Sequence, residues 1–270
     1  MTAPTEATAP ATVRPLSAGA AAYLLVLRNL MVFRTQWKLF VTGFLEPVLY
    51  LFSIGVGVGV LVDGFEVAGQ EVSYAAFVAP GMLAASAFNG ALMDSTYRVF
   101  FKLKYDKLYD QVLATPMSTA DVARGEIAWG QLRGGTYSAA FLVVMLAMGL
   151  LESWWALLAL PAALLIGFAM SAVCMAATTY MKSWQDFDKI TLVQLPLFLF
   201  SATFFPVDTY PASIRWLVEA TPLYRGVVLC RELTLGAPTW ASLVSVAYLL
   251  VLGAIGLVVV RRRLDTLLLT

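Results

Sequence analysis

Apolar residues gather into six stretches, 38–62, 74–101, 127–151, 154–181, 190–206 and 240–260. Each approaches or exceeds the roughly 20 residues that carry a helix across a bilayer. Pro47, Pro80, Pro161 and Pro196 fall inside four of them, which a membrane helix tolerates when its neighbours satisfy the freed carbonyls. The pattern predicts an all-α integral membrane protein with six transmembrane helices in a domain spanning 38–261. No internal repeat relates the first three stretches to the last three, which weakens an inverted-repeat transporter.

The polar segments have patterns of their own. Residues 1–15 are rich in Ala, Thr and Pro with no basic region ahead of an apolar core; a disordered tail is expected there, not a cleaved signal. Across 16–37, Arg28, Asn29, Thr35 and Gln36 share one third of a helical wheel, with Tyr23, Val26, Leu30, Phe33 and Trp37 largely opposite. Leu25 is out of place, but the pattern predicts an amphipathic helix lying in the membrane interface. In the 102–126 connection, "KLKYDKLYDQVLATPMSTADVARGE", residues Tyr105, Leu108, Tyr109, Val112 and Leu113 repeat at helical spacing and predict one apolar face. Pro116 ends that helix, and Ser118 with Asp121 predicts a capping box opening the next. The apolar face could be received by lipid, by the protein's own helices or by a partner. Mixed acids and bases on its other side argue against lipid, and the tyrosines suit an interface.

The fifth stretch runs into "SATFFPVDTYP" and stops. After it, 207–236 reads as two short helices, neither long enough to span. The first starts at Pro211 and spaces Arg215 and Glu219 i,i+4. The second has Thr221 as N-cap before Pro222, with Gly236 and Pro238 as its stop. Its aromatic residues favour a re-entrant or interfacial outer helix pair over a plain loop.

Charge then sets the orientation. Of 18 Lys and Arg residues, 15 fall before the first stretch, around the 2–3 and 4–5 connections and after the last. The 1–2 connection carries Asp63, Glu66 and Glu71 with no cation. Both termini, including the tail at 262–270, are therefore expected in the cytoplasm. Arg215, Arg225 and Arg231 lie on the outer side against this rule and call for specific partners.

Composition narrows the chemistry. Of 270 residues, 60% are hydrophobic and 13% charged, with mean hydropathy +0.78 and net charge +1. A net charge so small excludes a broad nucleic-acid surface. Histidine is absent and the two cysteines are isolated in apolar runs, which leaves no histidine base, zinc site or disulfide framework to propose. Asp186 and Asp188 form a D-x-D pair, the one candidate for an integral membrane enzyme that modifies lipids or glycans. Ionisable and amide groups inside the stretches are costly and mark candidate functional positions: Glu46, Asn89, Asp94, Arg133 and Gln194. Glu46 and Arg133 lie at similar depth and could pair. "GVGVGV" at 55–60 is a helix-packing pattern, and no G-x-x-x-x-G-K-[ST] phosphate loop occurs in the chain.

Taken in order, "EPVLYLFSIGVGVG", "FVAPGMLAASAF", "KYDKLYDQVLATPMS", "FPVDTYP" and "TPLYRGVVLCRELTLG" resemble the type-2 permease subunits of ABC exporters. The similarity is greatest to the branch of lipo-oligosaccharide (nodulation-factor) and daunorubicin-type drug exporters. The resemblance implies a permease paired with a second copy or a relative in membrane lipid, and two separate ATPase subunits. This chain would bind no cofactor, ATP and magnesium residing on the ATPases. It further implies that Tyr105, Leu108, Tyr109, Val112, Leu113 and Pro116 form the ATPase-coupling helix at 102–126. Residues 207–236 would be an outer gate, with Glu46, Asn89, Phe204, Phe205, Arg215 and Tyr224 along the substrate path.

Overall fold

The computed structural model describes residues 17–34, 45, 47–61, 64–67 and 70–268. The tail at 1–15, Thr35, Gln36 and Trp37 of the amphipathic pattern, and residues 38–44, Glu46 and Val62 of the first apolar stretch lie outside them. The described chain is almost entirely helical: α1 (Ala18–Arg34), α2 (Pro47–Gly59), a hairpin of β1 (Phe65–Val67) and β2 (Gln70–Val72), then α3 (Tyr74–Lys104). There follow α4 (Leu108–Leu113), α5 (Thr119–Ala147), α6 (Trp154–Thr178), α7 (Asp186–Leu199), α8 (Ala212–Glu219), α9 (Pro222–Leu235) and α10 (Trp240–Leu268). The strands pair antiparallel with Phe65 opposite Val72.

Among the described residues, α3, α6 and α10 are long and apolar enough to cross a membrane. The fifth apolar stretch, predicted at 190–206, forms a helix that starts earlier and ends at Leu199. Pro196 lacks an amide hydrogen for its last turns, and Ala202, at φ +54°, turns the chain left-handed, a conformation L-residues rarely adopt. The last helix overruns its predicted end through Arg261–Arg263 to Leu268, where the sequence pattern expects a tail.

Local chemistry sets the starts. Ser73 accepts the Ala76 amide at 3.3 Å to cap α3, and the Ser118–Asp121 capping box opens α5 as the sequence predicts. Small residues then allow close packing. A Cβ on Gly256 of α10 would meet the Ala172 carbonyl carbon of α6 at 2.8 Å, so only hydrogen fits there. Gly125 of α5 similarly receives Leu25 of α1. That contact accounts for the one residue out of place in the amphipathic pattern: the buried stripe of α1 is Ala21, Leu25 and Asn29, while Tyr23 and Leu30 are exposed. Leu25 fits because the helix packs on protein along that line.

The main core is built from α3, α5, α6, α9 and α10 around Phe77, Leu83, Phe88, Phe141, Ile166 and Leu249. Leu250, Val251, Ile255 and Val258 of α10 remain exposed, an apolar row suited to lipid. Contacts divide the connections between two ends. Thr119 bonds Asp265, Arg263 lies 4.1 Å from the Tyr180 ring, and Tyr97 meets Trp184. These place the 2–3 and 4–5 connections with the C-terminal end of α10. At the other end, the Glu152 amide donates to the Thr234 carbonyl at 3.3 Å, joining the 3–4 connection to α9.

Candidate functional site

At the basic end, the 102–126 connection forms two elements where one was predicted. Lys107 takes φ +46° and separates α3 from the six-residue α4. Tyr105 therefore belongs to the end of α3; it is exposed and lies 5.3 Å from the Phe101 ring. Leu108 and Tyr109 are buried among Leu103, Val122, Ile127, Met175 and Leu264, with Val112 and Leu113 at the edge of this cluster. The single apolar face from Tyr105 to Leu113 is thus a correction. Its main anchor, Tyr109, points into the protein's own bundle, and its phenol is pushed well above its ordinary value, first by burial and then by the nearby Glu126 carboxylate. The side left open carries Asp106, Lys107, Asp110, Gln111, Thr115 and Pro116.

Beneath α4 lies a polar cluster that sequence reasoning missed. Lys102 Nζ meets the Glu126 carboxylate at 2.6 Å and 2.8 Å and donates to Asn29 Oδ1 at 3.1 Å. Asn29 Nδ2 reaches Glu126 at 3.5 Å, so α1, α3 and α5 are tied together at one point. The available clue was Glu126, an acid just where α5 turns apolar. Two turns further along α5, Arg133 Nη1 pairs with Asp94 at 2.8 Å, and Arg98 shares that carboxylate at 3.2 Å. Arg133 also lies over Phe33 and Tyr137. Its partner is therefore Asp94; Glu46, the expected one, is outside the described residues. Asp94 begins a π-helical turn, Asp94–Arg98, within α3. Such turns often re-aim side chains at functional positions. Asn89 and Gln194 do come together, with Gln194 Nε2 donating to Asn89 Oδ1 at 3.0 Å between α3 and α7.

At the opposite end, Ser201, Ala202 and Thr203 form non-helical backbone that is buried. Carbonyls in such a place need donors, and Arg231 of α9 supplies them. It donates to Ala202 O at 2.9 Å, Thr203 O at 3.3 Å and Phe77 O at 3.2 Å, stacked 3.8 Å from the Phe77 ring. Gly81 of α3 makes room: a Cβ there would meet Thr203 at 2.9 Å. Arg215 pairs with Asp208 at 3.1 Å, a correction to the expected partner Glu219. The Thr221 cap and the left-handed Gly236 stop of α9 form as predicted. Phe204 meets Phe198 edge-on at 5.6 Å, Phe205 lies 5.1 Å from Tyr210, and Tyr224 is buried beneath Arg225. Between α7 and α8 opens a groove of about 450 Å³ lined by Leu192, Val193, Pro196, Phe200, Ile214 and Leu217.

The D-x-D pair has a structural task. Asp186 accepts the Lys182 and Ser183 amides at 2.8 Å and 3.1 Å and pairs with Lys189 at 2.6 Å, closing the turn into α7. The Lys189 hydrogen bond first, then the two amides, hold its carboxyl below the usual range.

Apolar helices with exposed apolar rows, a basic end and an arginine-supported break at the other define a multi-pass membrane protein. Residues 20–235 match the ABC-2 type transporter family, and the chain belongs to it. It is 35% identical over 195 residues to Nodulation protein J of Rhizobium leguminosarum bv. trifolii, covering 72% of each chain. To Nodulation protein J of Rhizobium leguminosarum bv. viciae it is 32% identical over 230 residues, covering 84% of this chain and 87% of the relative. The chain is a multi-pass permease of an ABC exporter in a bacterial plasma membrane.

Proposed function

We propose that this permease exports an amphipathic, acylated oligosaccharide, driven by two separate ATPase subunits that bind ATP and magnesium. The ATPases dock on the open side of the coupling segment, at Asp106, Lys107, Asp110, Gln111 and Pro116, with Tyr105 at the margin. Leu108, Tyr109, Val112 and Leu113 act from beneath, as the base that passes the load to α3, α5 and α10. The observation that carries this reading is the buried seat of Leu108 and Tyr109 under a segment whose other side faces solvent: a docking surface that moves a bundle must be fixed to it. The permease has six spans with both termini in the cytosol, in keeping with its excess of basic residues at one end. A second permease, identical or related, completes the translocation path, and 207–236 gates its outer mouth.

The substrate class draws on two supports. The relatives are nodulation proteins, and the groove between α7 and α8 is lined almost wholly by apolar side chains, which suits an acyl chain. ATP biases the permease only through differential binding to its inward- and outward-facing states. The test is ATP-dependent uptake of an acylated oligosaccharide into inverted vesicles holding the permease and its ATPase. Uptake should vanish for the deacylated sugar and for Asp110→Arg with Gln111→Arg, which should weaken ATPase retention about tenfold, ~1.4 kcal/mol. Equal uptake of both sugars would refute the substrate class; full retention and uptake in the double variant would refute the docking side.

A further inference from the structure

Six rings meet at the basic end: Tyr97, Phe100, Phe101 and Tyr105 along one face of α3, and Trp184 and Phe187 at the root of α7. Phe187 stacks on Tyr97 with centroids 4.1 Å apart and planes 15° from parallel. It meets Phe100 edge-on at 5.1 Å and Trp184 at 4.9 Å. Trp184 lies 5.6 Å from Phe101, which in turn lies 5.3 Å from Tyr105. One continuous cluster thus runs from the first residues of the coupling segment to the start of α7.

The rest of α7 is loosely held. Phe187 is its one fully buried side chain among 14 residues. Leu192, Val193, Leu195 and Leu199 are exposed, while Ile190, Leu197 and Phe198 only skirt the core. Gln194 ties it to Asn89 of α3 and the buried break at 201–203 follows its end, so between these ties and its root α7 is a lever held by few contacts. At 1.5 Å per residue α7 is about 21 Å long, so a 10° tilt at the root displaces its far end by about 4 Å. That far end, with Pro196 and Phe200, forms one wall of the groove whose other wall is α8.

We infer that Phe187 and Trp184 are positioning residues: their rings convert displacement of the coupling segment into tilt of α7, which opens or closes the α7–α8 groove. Aromatic rings suit this task because they are stiff, with two torsions each, and keep contact across several relative orientations. Tyr97 lies within the π-helical turn Asp94–Arg98 and the other α3 rings just past it, where a change of helix register would rotate them together. The inference rests on the docking reading above, and the experiment separates the two.

The experiment uses the permease assembled with its ATPase, with spin labels on Leu199→Cys at the far end of α7 and Leu217→Cys on α8. Cys174 and Cys230 are buried and so contribute little background labelling. In the parent complex, ATP should shift the distance between labels by several ångström. Phe187→Leu keeps apolar volume and removes the ring; it should retain the ATPase and basal ATP turnover, lose the ATP-dependent shift and lower uptake of the acylated oligosaccharide about tenfold. Trp184→Phe keeps a ring and should behave as the parent. Should Phe187→Leu fail to accumulate, Trp184→Leu, at a half-exposed position, carries the same expectations. A parent-like distance shift and uptake in the leucine variant overturns the inference. Loss of ATPase from the parent complex would overturn the docking reading instead, and is read before any cluster variant is made.

Discussion

Arg133 and Arg231 show how this bundle accommodates cations among apolar helices. Each is held by a stacked ring and by acceptors aimed along its fork, a geometry a lysine ammonium does not reproduce. Arg133 neutralises Asp94, whose side chain is only 10% exposed. With Arg98 left as the carboxylate's remaining partner, Arg133→Ala should destabilise the protein by about 1–3 kcal/mol, the usual cost of removing one partner of a buried polar group. Adding Asp94→Asn should recover part of that loss, in unfolding titrations run in detergent. Arg231→Lys should keep the charge but lose the simultaneous bonds to Ala202 and Thr203; hydrogen exchange at 202–205 should then rise while α5 stays protected. Residues whose partners are close in sequence were readable in advance: the Ser118–Asp121 box, the Thr221 cap and the Gly236 stop each depend on neighbours within four positions. The partner of Arg133 was not, because depth along a helix follows from the sequence but rotation towards Asp94 depends on packing with α3.

The coupling segment carries the same lesson at the level of an element. Helical spacing from Tyr105 to Leu113 is real in the sequence, yet Lys107 breaks the helix and puts Tyr105 and Tyr109 on opposite duties. Periodicity identifies an apolar face without saying what covers it, and here the protein's own α5, α6 and α10 do. Tyr109→Asp would therefore damage the bundle itself, whereas substitutions at Asp110 and Gln111 should spare folding. The root of α7 offers a second test. Asp186 has its carboxyl held below the ordinary value in the folded state, so its contribution is present at neutral pH and is lost as pH falls through that lowered value. Asp186→Asn should accordingly speed amide exchange at Lys182 and Ser183 at neutral pH, and the parent should approach the variant only in strong acid. Between α6 and α10, Gly256→Leu should cost about 1–3 kcal/mol through overpacking, read as a lowered unfolding midpoint.

For the whole molecule, hydropathy was enough to mark the all-α membrane class, and among the described residues three of its six stretches are helices long and apolar enough to span. It did not fix their lengths. The fifth stretch contains apolar residues beyond Leu199, but they line a buried break supported by Arg231 from 29 residues downstream of Ala202, an arrangement no local pattern encodes. Charge asymmetry separates the connections into two groups, and contacts such as Thr119–Asp265 and Glu152–Thr234 bring each group together in space. The α7 face stays exposed on the single chain.

The account stands on the open side of the coupling segment facing the cytosol and being covered by the ATPase. Single cysteines at Asp106, Asp110 and Gln111, and one at Trp154 near the opposite end, would be labelled with a membrane-impermeant maleimide in inverted and right-side-out vesicles. The first three should react only in inverted vesicles and become protected when the ATPase is bound, and Trp154→Cys should react only in right-side-out ones. Reaction of the 106–111 positions from outside, or unchanged labelling under a saturating ATPase, would contradict it.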